Sequence, residues 1–132
     1  MRVNALDHVN IFTQDMPHSV KFYTELFGLS VRDGPSPLPA SAVQWVYDDQ
    51  DRAIIHLNTN GAPQAYKREC PPGPTGALHH VALNCTGVSE MKTRLDAWGA
   101  DYTVNELASI GLTQLFVFDP NQVLLELNFF GG

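Results

Sequence analysis

The chain has 132 residues, 44% of them hydrophobic, and a formal net charge of −6 with no run of Lys or Arg. Such a length fits one domain, or two small halves sharing a core, and the composition is that of a globular protein rather than a disordered one. The acidic balance argues against a nucleic-acid partner; no apolar run is long enough to span a membrane and the first residues lack a signal-peptide pattern, so a cytoplasmic protein without membrane contacts is expected.

The first predicted strand is LDHVNI, residues 6–11. The spacing of Met16, Val20, Tyr23 and Phe27 predicts a helix over 16–28, with Asp15 as N-cap, Pro17 in the first turn and Gly28 at the end. LSVRD (29–33) reads as a strand, and SAVQWVYDDQDRAIIHLN (41–58) as two more, joined by a hairpin turn at DDQD. The Pro- and Gly-rich segment 59–76 is a linker, solvated or serving as a lid or partner contact. LHHVAL (78–83) then repeats the first strand: Leu6, His8, Val9 and Ile11 correspond to Leu78, His80, Val81 and Leu83, an offset of 72 from His8 to His80. Val88, Met91, Leu95 and Trp98 predict a helix over 88–99, with Ser89 as N-cap and Gly99 at its end. DYTVNE (101–106) and LTQLFVFDPNQVLLELN (112–128), turning at DPNQ, complete the second copy. In the hairpins Asp49 corresponds to Asp119, Asp51 to Asn121 and His56 to Glu126, an offset of 70.

The expected fold class is therefore α+β, one domain over 1–132, with a βαβββ module at 1–58, a linker at 59–76 and a second βαβββ module at 77–132. Cys70 in a loop and Cys85 in a strand are expected as free thiols, since two distant cysteines make neither a disulfide framework nor a thiolate metal site.

Strand alternation assigns faces. Leu6, His8, Asn10 and Phe12 share one face, with Val9 and Ile11 turned toward the helix. Leu78, His80 and Ala82 share the corresponding face, as do Ile54, His56 and Asn58, and Leu124, Glu126, Asn128 and Phe130; Leu125, Leu127 and Phe129 lie behind. A buried carboxylate is costly unless it is paired or bound to a cation, and the last strand offers Glu126 no neighbouring Lys or Arg. His8, His56, His80 and Glu126 occupy repeat-equivalent positions and are candidate ligands of one divalent ion, because imidazole nitrogen and carboxylate oxygen suit Fe2+, Mn2+, Ni2+ or Zn2+. His18 is expected to face water on its helix, and His79 to point away from the site in a structural role.

Three stretches, LDHVNIFTQDMPHSVKFYTELFGLSV, LHHVALNC and FVFDPNQVLLELNF, together resemble the vicinal-oxygen-chelate superfamily over essentially the whole chain. That group includes glyoxalase I, extradiol ring-cleaving dioxygenases, fosfomycin-modifying transferases, methylmalonyl-CoA epimerase and bleomycin-binding proteins. The resemblance implies two βαβββ modules forming a curled mixed sheet around one metal ion, with ligands on the first, fourth, fifth and eighth strands that fall on His8, His56, His80 and Glu126. It also implies a small-molecule substrate chelated through two neighbouring oxygens, and a homodimer, for which exposed strand edges give a physical reason.

The reactions of the group make different demands. In a ring-cleaving dioxygenase, His8, His80 and Glu126 would leave positions on Fe(II) open for a catechol and oxygen, with His56 as an acid–base residue. The Tyr such enzymes usually carry before the final turn is Phe116 here. In a glyoxalase-like enzyme Glu126 would abstract a proton next to a carbonyl, but the fourth-strand Glu or Gln of glyoxalase I and the epimerase is replaced by His56. For a glutathione or coenzyme A substrate, the basic residues on offer are Arg52, Lys67 and Arg68. A phosphonate needs a cationic surround that this acidic chain does not display, and metal-free binding members typically lose the ligand residues this chain keeps. The expectation is a metal-dependent enzyme acting on a small diol, catechol or dicarbonyl-type substrate. Dioxygenase-like chemistry ranks first, a glyoxalase-like lyase or isomerase second and a metal-free binding protein third. Phe12, Trp45, Tyr47, Phe116 and Phe130 are the candidate substrate-binding walls, and Glu126 and His56 the candidate catalytic residues.

Overall fold

The internal repeat appears as two copies of the same strand–helix–three-strand unit. The computed structural model describes residues 1–131, in two compact units: Met1–Pro72, and the chain from Gly73 onward. The first contains β1 (Val9–Phe12), α1 (Met16–Lys21) running into a π-helical turn at Phe22–Leu26, β2 (Ser30–Asp33), β3 (Val43–Tyr47) and β4 (Ala53–Asn58). The second contains β5 (Val81–Cys85), α2 (Val88–Trp98), β6 (Tyr102–Leu107), a short helical turn at Ala108–Ile110, β7 (Leu112–Phe118) and β8 (Leu124–Phe130). Each unit forms one mixed sheet, ordered β1-β4-β3-β2 and β5-β8-β7-β6, with its first strand parallel to its fourth. This is the expected α+β arrangement of two βαβββ modules. Among the described residues no helix is long and apolar enough to cross a membrane.

Alternation decides what is buried. Ile11, Val46, Ile55 and Leu57 are buried in the first unit, and Leu115, Val117, Leu125, Leu127 and Phe129 in the second. Complete burial of a side chain such as Leu57 or Leu127 contributes about 1.5–3 kcal/mol. α2 buries Met91 and Leu95, with Val88 and Trp98 half-buried, as its spacing predicts. α1 departs from its prediction: the buried set is Met16, Ser19, Phe22, Tyr23 and Leu26, while Val20 and Phe27 are half-buried. The buried positions come one residue ahead of the predicted ones at Ser19 and Leu26, the first of them before the π-helical turn at Phe22–Leu26. Ser19 is tolerated at 0% exposure because its hydroxyl bonds the Thr13 hydroxyl at 2.9 Å.

Asp15 caps α1 as expected, its carboxylate accepting from the His18 amide at 3.0 Å; His18 itself is exposed. Ser89, by contrast, is not a cap. Gly87 holds that position with a φ of +88°, in the left-handed region that glycine adopts without strain, and Ser89 lies inside the first turn. α2 ends at Gly99 with a φ of +77°, and the Ala100 amide reaches back to the Leu95 carbonyl at 3.0 Å.

The hairpins correct the repeat alignment by one residue. Asp48 accepts from the amides of Gln50 and Arg52, as Asp119 does from those of Asn121 and Val123. Asp51 and Gln122 take matching positive φ values, 62° and 64°. Asp48, not Asp49, is therefore the counterpart of Asp119, and Asp51 pairs with Gln122 rather than Asn121. Tyr47 faces Ala53 while Val46 faces Ile55, so Ile54 is an extra residue in a β-bulge, which restores the match of His56 to Glu126.

The beginning of segment 59–76 belongs to the first unit rather than to solvent: the Thr59 amide bonds the Ala42 carbonyl, and Ala62 is buried with Ala42 and Val43, flanked by Leu38 and Trp45. Gly34 closes this cluster from the side, since a Cβ there would stand 2.7 Å from Val43 Cγ1. Gly34→Ala is expected to cost about 1–3 kcal/mol through overpacking, read as a lower urea midpoint. Cys70 and Cys85 are free thiols, as predicted. Burial pushes the Cys85 thiol up to about 11, so it is expected to resist iodoacetamide at pH 8 in the folded protein and to react once urea unfolds it, a contrast read by peptide mass spectrometry.

Candidate functional site

Pairing of the first strand with the fourth assembles the polar residues of each unit. In the first, Asn10 lies opposite His56; in the second, Ala82 lies opposite Glu126. His8 and His80 stand two residues ahead of these positions, not mid-strand as the sequence suggested but one residue before it, because the parallel ladders begin at Val9–Ile55 and Val81–Leu125. Freed from the pleat, each histidine can turn toward the fourth strand.

In the first unit His56 lies flat between two rings. Trp45, its antiparallel partner on β3, stacks at 4.0 Å between centroids with planes 7° apart; His8 stacks at 3.7 Å and 13°. β4 runs between β1 and β3, so the rings approach from opposite sides. Burial, helped by the neighbouring His8, lowers the His56 pKa to about 4, so its imidazole is neutral at pH 7. His8 Nδ1 sits 2.5 Å from Asp7 Oδ2. Nearly parallel stacked rings direct their in-plane lone pairs side by side, whereas nitrogens sharing one ion must converge on it at about 2.0–2.1 Å. In this arrangement the His8 and His56 rings do not converge on a common ion.

The other candidate walls of this unit separate. Trp45 faces His56, buttressed by Leu38, Ala42, Val43 and Ala62. Tyr47 lies beneath the Arg32 guanidinium, 3.9 Å from its ring centroid, and Arg32 pairs with Asp51. Phe12 is half-buried opposite Asn58. Asn58 Oδ1 is buried without a hydrogen-bond partner among the described residues.

In the second unit Glu126 is 8% exposed, and its two carboxylate oxygens divide between His80 and Gln114. His80 Nε2 lies 2.7 Å from Oε2, and the Gln114 amide donates to Oε1 at 2.5 Å. Gln114 also donates to Asn128 Oδ1 at 3.1 Å and accepts from Asn105 at 2.7 Å. Phe116, opposite Glu126 as Trp45 is opposite His56, meets the His80 ring edge to face at 6.4 Å. Phe130 ends β8 and is 58% exposed. Gln114 was missed by the sequence reading. Its signal was available: it lies two residues before Phe116, hence on the same face, and opposite Asn128. The equivalent place opposite Asn58 is Val43, which is why Asn58 has no such donor.

His79 corrects a second expectation. It does not merely point away; its Nδ1 lies 2.9 Å from His80 Nδ1. The four predicted ligands thus appear as two pairs, His8 with His56 and His80 with Glu126. Among the described residues no group of three or more His, Cys, Asp or Glu is gathered as a metal site. The donor chemistry of His80 and Glu126 nonetheless suits a divalent ion: a buried carboxylate with an imidazole nitrogen at 2.7 Å has the separation of two neighbouring ligands.

A duplicated βαβββ chain with imidazole and carboxylate groups at equivalent strand positions defines the class, a vicinal-oxygen-chelate protein. The family model for the Glyoxalase/Bleomycin resistance protein/Dioxygenase superfamily matches residues 5–127, and the chain belongs to that superfamily. Its fold is similar to that of a glyoxalase/dioxygenase from Nostoc punctiforme, at 17% identity and a TM-score of 0.73, covering 98% of this chain and 92% of that one. It is also similar to a lactoylglutathione lyase from Agrobacterium tumefaciens, at 17% identity and 0.65, covering 98% and 96%. A third is a mutant fosfomycin resistance protein from Listeria monocytogenes, complexed with Mn(II) and a dihydroxypropylphosphonic acid, at 15% and 0.65, covering 96% and 90%. No curated protein matches the sequence.

Proposed function

We propose that this chain is a metal-dependent enzyme that binds a small substrate through two neighbouring oxygens on one divalent ion, Fe2+, Mn2+, Ni2+ or Zn2+, with His8, His80 and Glu126 as ligands. The observation that carries the reading is the Glu126 carboxylate, 8% exposed and held by His80 and Gln114 rather than by a Lys or Arg. The ion would act as a Lewis acid that holds the substrate oxygens and stabilises negative charge on them. His56, neutral and fixed in plane by Trp45, would take a proton from a substrate hydroxyl at a ring nitrogen. Gln114 would hold the carboxylate in its orientation, and Phe116 would shield His80 from water on one edge.

A two-histidine, one-carboxylate set leaves positions free for a chelating substrate and a further reactant, which favours dioxygenase-like chemistry on a catechol or similar diol. Glyoxalase-like isomerisation is the second reading, supported by the buried carboxylate as a base for a proton next to a carbonyl. The proposal includes a homodimer in the cytoplasm, with the sheet-edge strands β1, β2, β5 and β6 as candidate pairing surfaces.

The test begins with the metal content of protein purified without chelator, followed by calorimetric titration with Fe(II), Mn(II), Ni(II) and Zn(II). About one ion per chain is expected. Failure to take up any of the four would make the chain a metal-free binding protein. Oxygen uptake by Fe(II)-loaded protein with a panel of catechols supports the first reading; thioester formation from methylglyoxal and glutathione supports the second.

A further inference from the structure

Where the first unit's chain leaves its sheet, it forms a cavity that the proposed metal chemistry does not use. The Thr59 amide bonds the Ala42 carbonyl at 2.9 Å, the Ala62 amide bonds the Thr59 carbonyl at 3.0 Å, and Ala62 is buried. Further on, the Gln64 side-chain oxygen accepts from the Arg68 amide at 3.2 Å, which closes a loop over 64–68. Residues of this tied segment line a solvent-open hollow of about 600 Å³, with Ala62 and Pro63 as its apolar wall. That volume is in the range of small-molecule sites, about 300–1,000 Å³.

The charge of the hollow runs against that of the chain, which has a net charge of −6. Lys21, Arg32, Arg52 and Arg94 are each paired with a carboxylate. Lys67 and Arg68, both lining the hollow, have no such partner among the described residues, although Glu69 follows them and lines it too. Of the three basic residues the sequence offered for an anionic substrate, Arg52 is thus engaged by Asp48 and the other two are gathered in one place. The Gln64 side chain spends its oxygen on the Arg68 amide, which leaves its amide nitrogen to donate into the hollow. Ammonium, guanidinium and amide nitrogen are all donors, a set that suits an anionic oxygen group. Glu69 leaves two cations against one carboxylate, so a singly charged carboxylate fits better than a doubly charged phosphate.

We propose that this hollow binds the carboxylate of a small organic acid. Lys67, Arg68 and Gln64 hold the carboxylate, and the carbon skeleton lies against Ala62 and Pro63. The site lies wholly within the first unit, needs no metal ion, and stands or falls apart from the metal reading.

The experiment titrates 15N-labelled full-length protein with phenylacetate, its neutral counterpart phenylacetamide, and phenyl phosphate, before and after treatment with chelating resin. Phenylacetate is expected to shift the Arg68 backbone amide and the Gln64 side-chain amide to saturation, with or without the resin. Phenylacetamide should leave both signals in place, and phenyl phosphate should move them only at higher concentration. Lys67→Ala and Arg68→Ala should each weaken phenylacetate binding by about 1.5–5-fold, and Glu69→Gln should strengthen it by a similar factor. All three side chains are exposed, so melting temperatures should stay unchanged. Opposite effects of removing a cation and removing the carboxylate are the mark of an anion site, which a merely structural role would not produce. Equal shifts with phenylacetamide, no saturable shift at Gln64 and Arg68, or variants that bind like the wild type would overturn the proposal. Tighter binding of phenyl phosphate would overturn the choice of carboxylate.

Discussion

Glu126→Gln is expected to weaken divalent metal binding by at least about 100-fold, since losing even an outer partner of a ligand typically costs 10–100-fold and this change removes the charge of a ligand itself. Glu126 is the sole anion in the proposed set; the imidazoles contribute no charge to offset that of the ion. Glutamine keeps the shape, and its side-chain oxygen can still accept from Gln114, so the fold should survive. The contact between the carboxylate and His80 Nε2 is altered together with the metal affinity. Calorimetric titration with Mn(II) and Zn(II), alongside circular dichroism, reads the outcome. An affinity equal to that of the wild type would remove Glu126 from the ligand set and leave its burial to be explained by His80 and Gln114 alone.

Trp45→Ala is expected to destabilise the protein by about 2–4 kcal/mol, toward the lower part of the range for a large aromatic replaced by alanine, because the indole is only half-buried. The loss has two sources. One is the cluster with Leu38, Ala42, Val43 and Ala62; the other is the flat stack on His56. Urea unfolding at pH 7 measures the total.

The pH dependence of the same measurement separates the two sources. The pKa of His56 is about 4 in the folded chain against an ordinary value of 6.5, so between these values the unfolded state binds more protons. Its contribution to stability is complete above pH 6.5 and is lost as the pH falls toward 4. Trp45→Ala opens His56 to water, and the slope of stability against pH in that window should flatten. An unchanged slope would mean that the indole does not shield the imidazole.

Much of the site was legible in the sequence because a duplication writes its equivalences twice. The match of His8 to His80 and of His56 to Glu126 was readable from repeated apolar spacing, and strand alternation put Ile55, Leu57, Leu125 and Leu127 in the core. Caps and turn residues, being local, were read well at Asp15 and Gly99 and less well at Ser89, where a left-handed glycine entered the helix instead. Wherever one residue was inserted or a partner came from another strand, the reading failed. The bulge at Ile54 shifted the hairpin alignment, and Gln114 reached Glu126 from the neighbouring strand.

The sequence by itself determined the repeat, the α+β architecture and the chemical character of the four polar residues, since each follows from periodicity or residue type along a single strand. Only the tertiary structure decided that Trp45 and His8 sandwich His56 and that Gln114 grips Glu126. The physical reason is register. Period-two alternation fixes which face a side chain takes, but which residue stands across from it depends on how the strands slide past one another. A single bulge changes that pairing while leaving the composition and periodicity of the segment almost untouched.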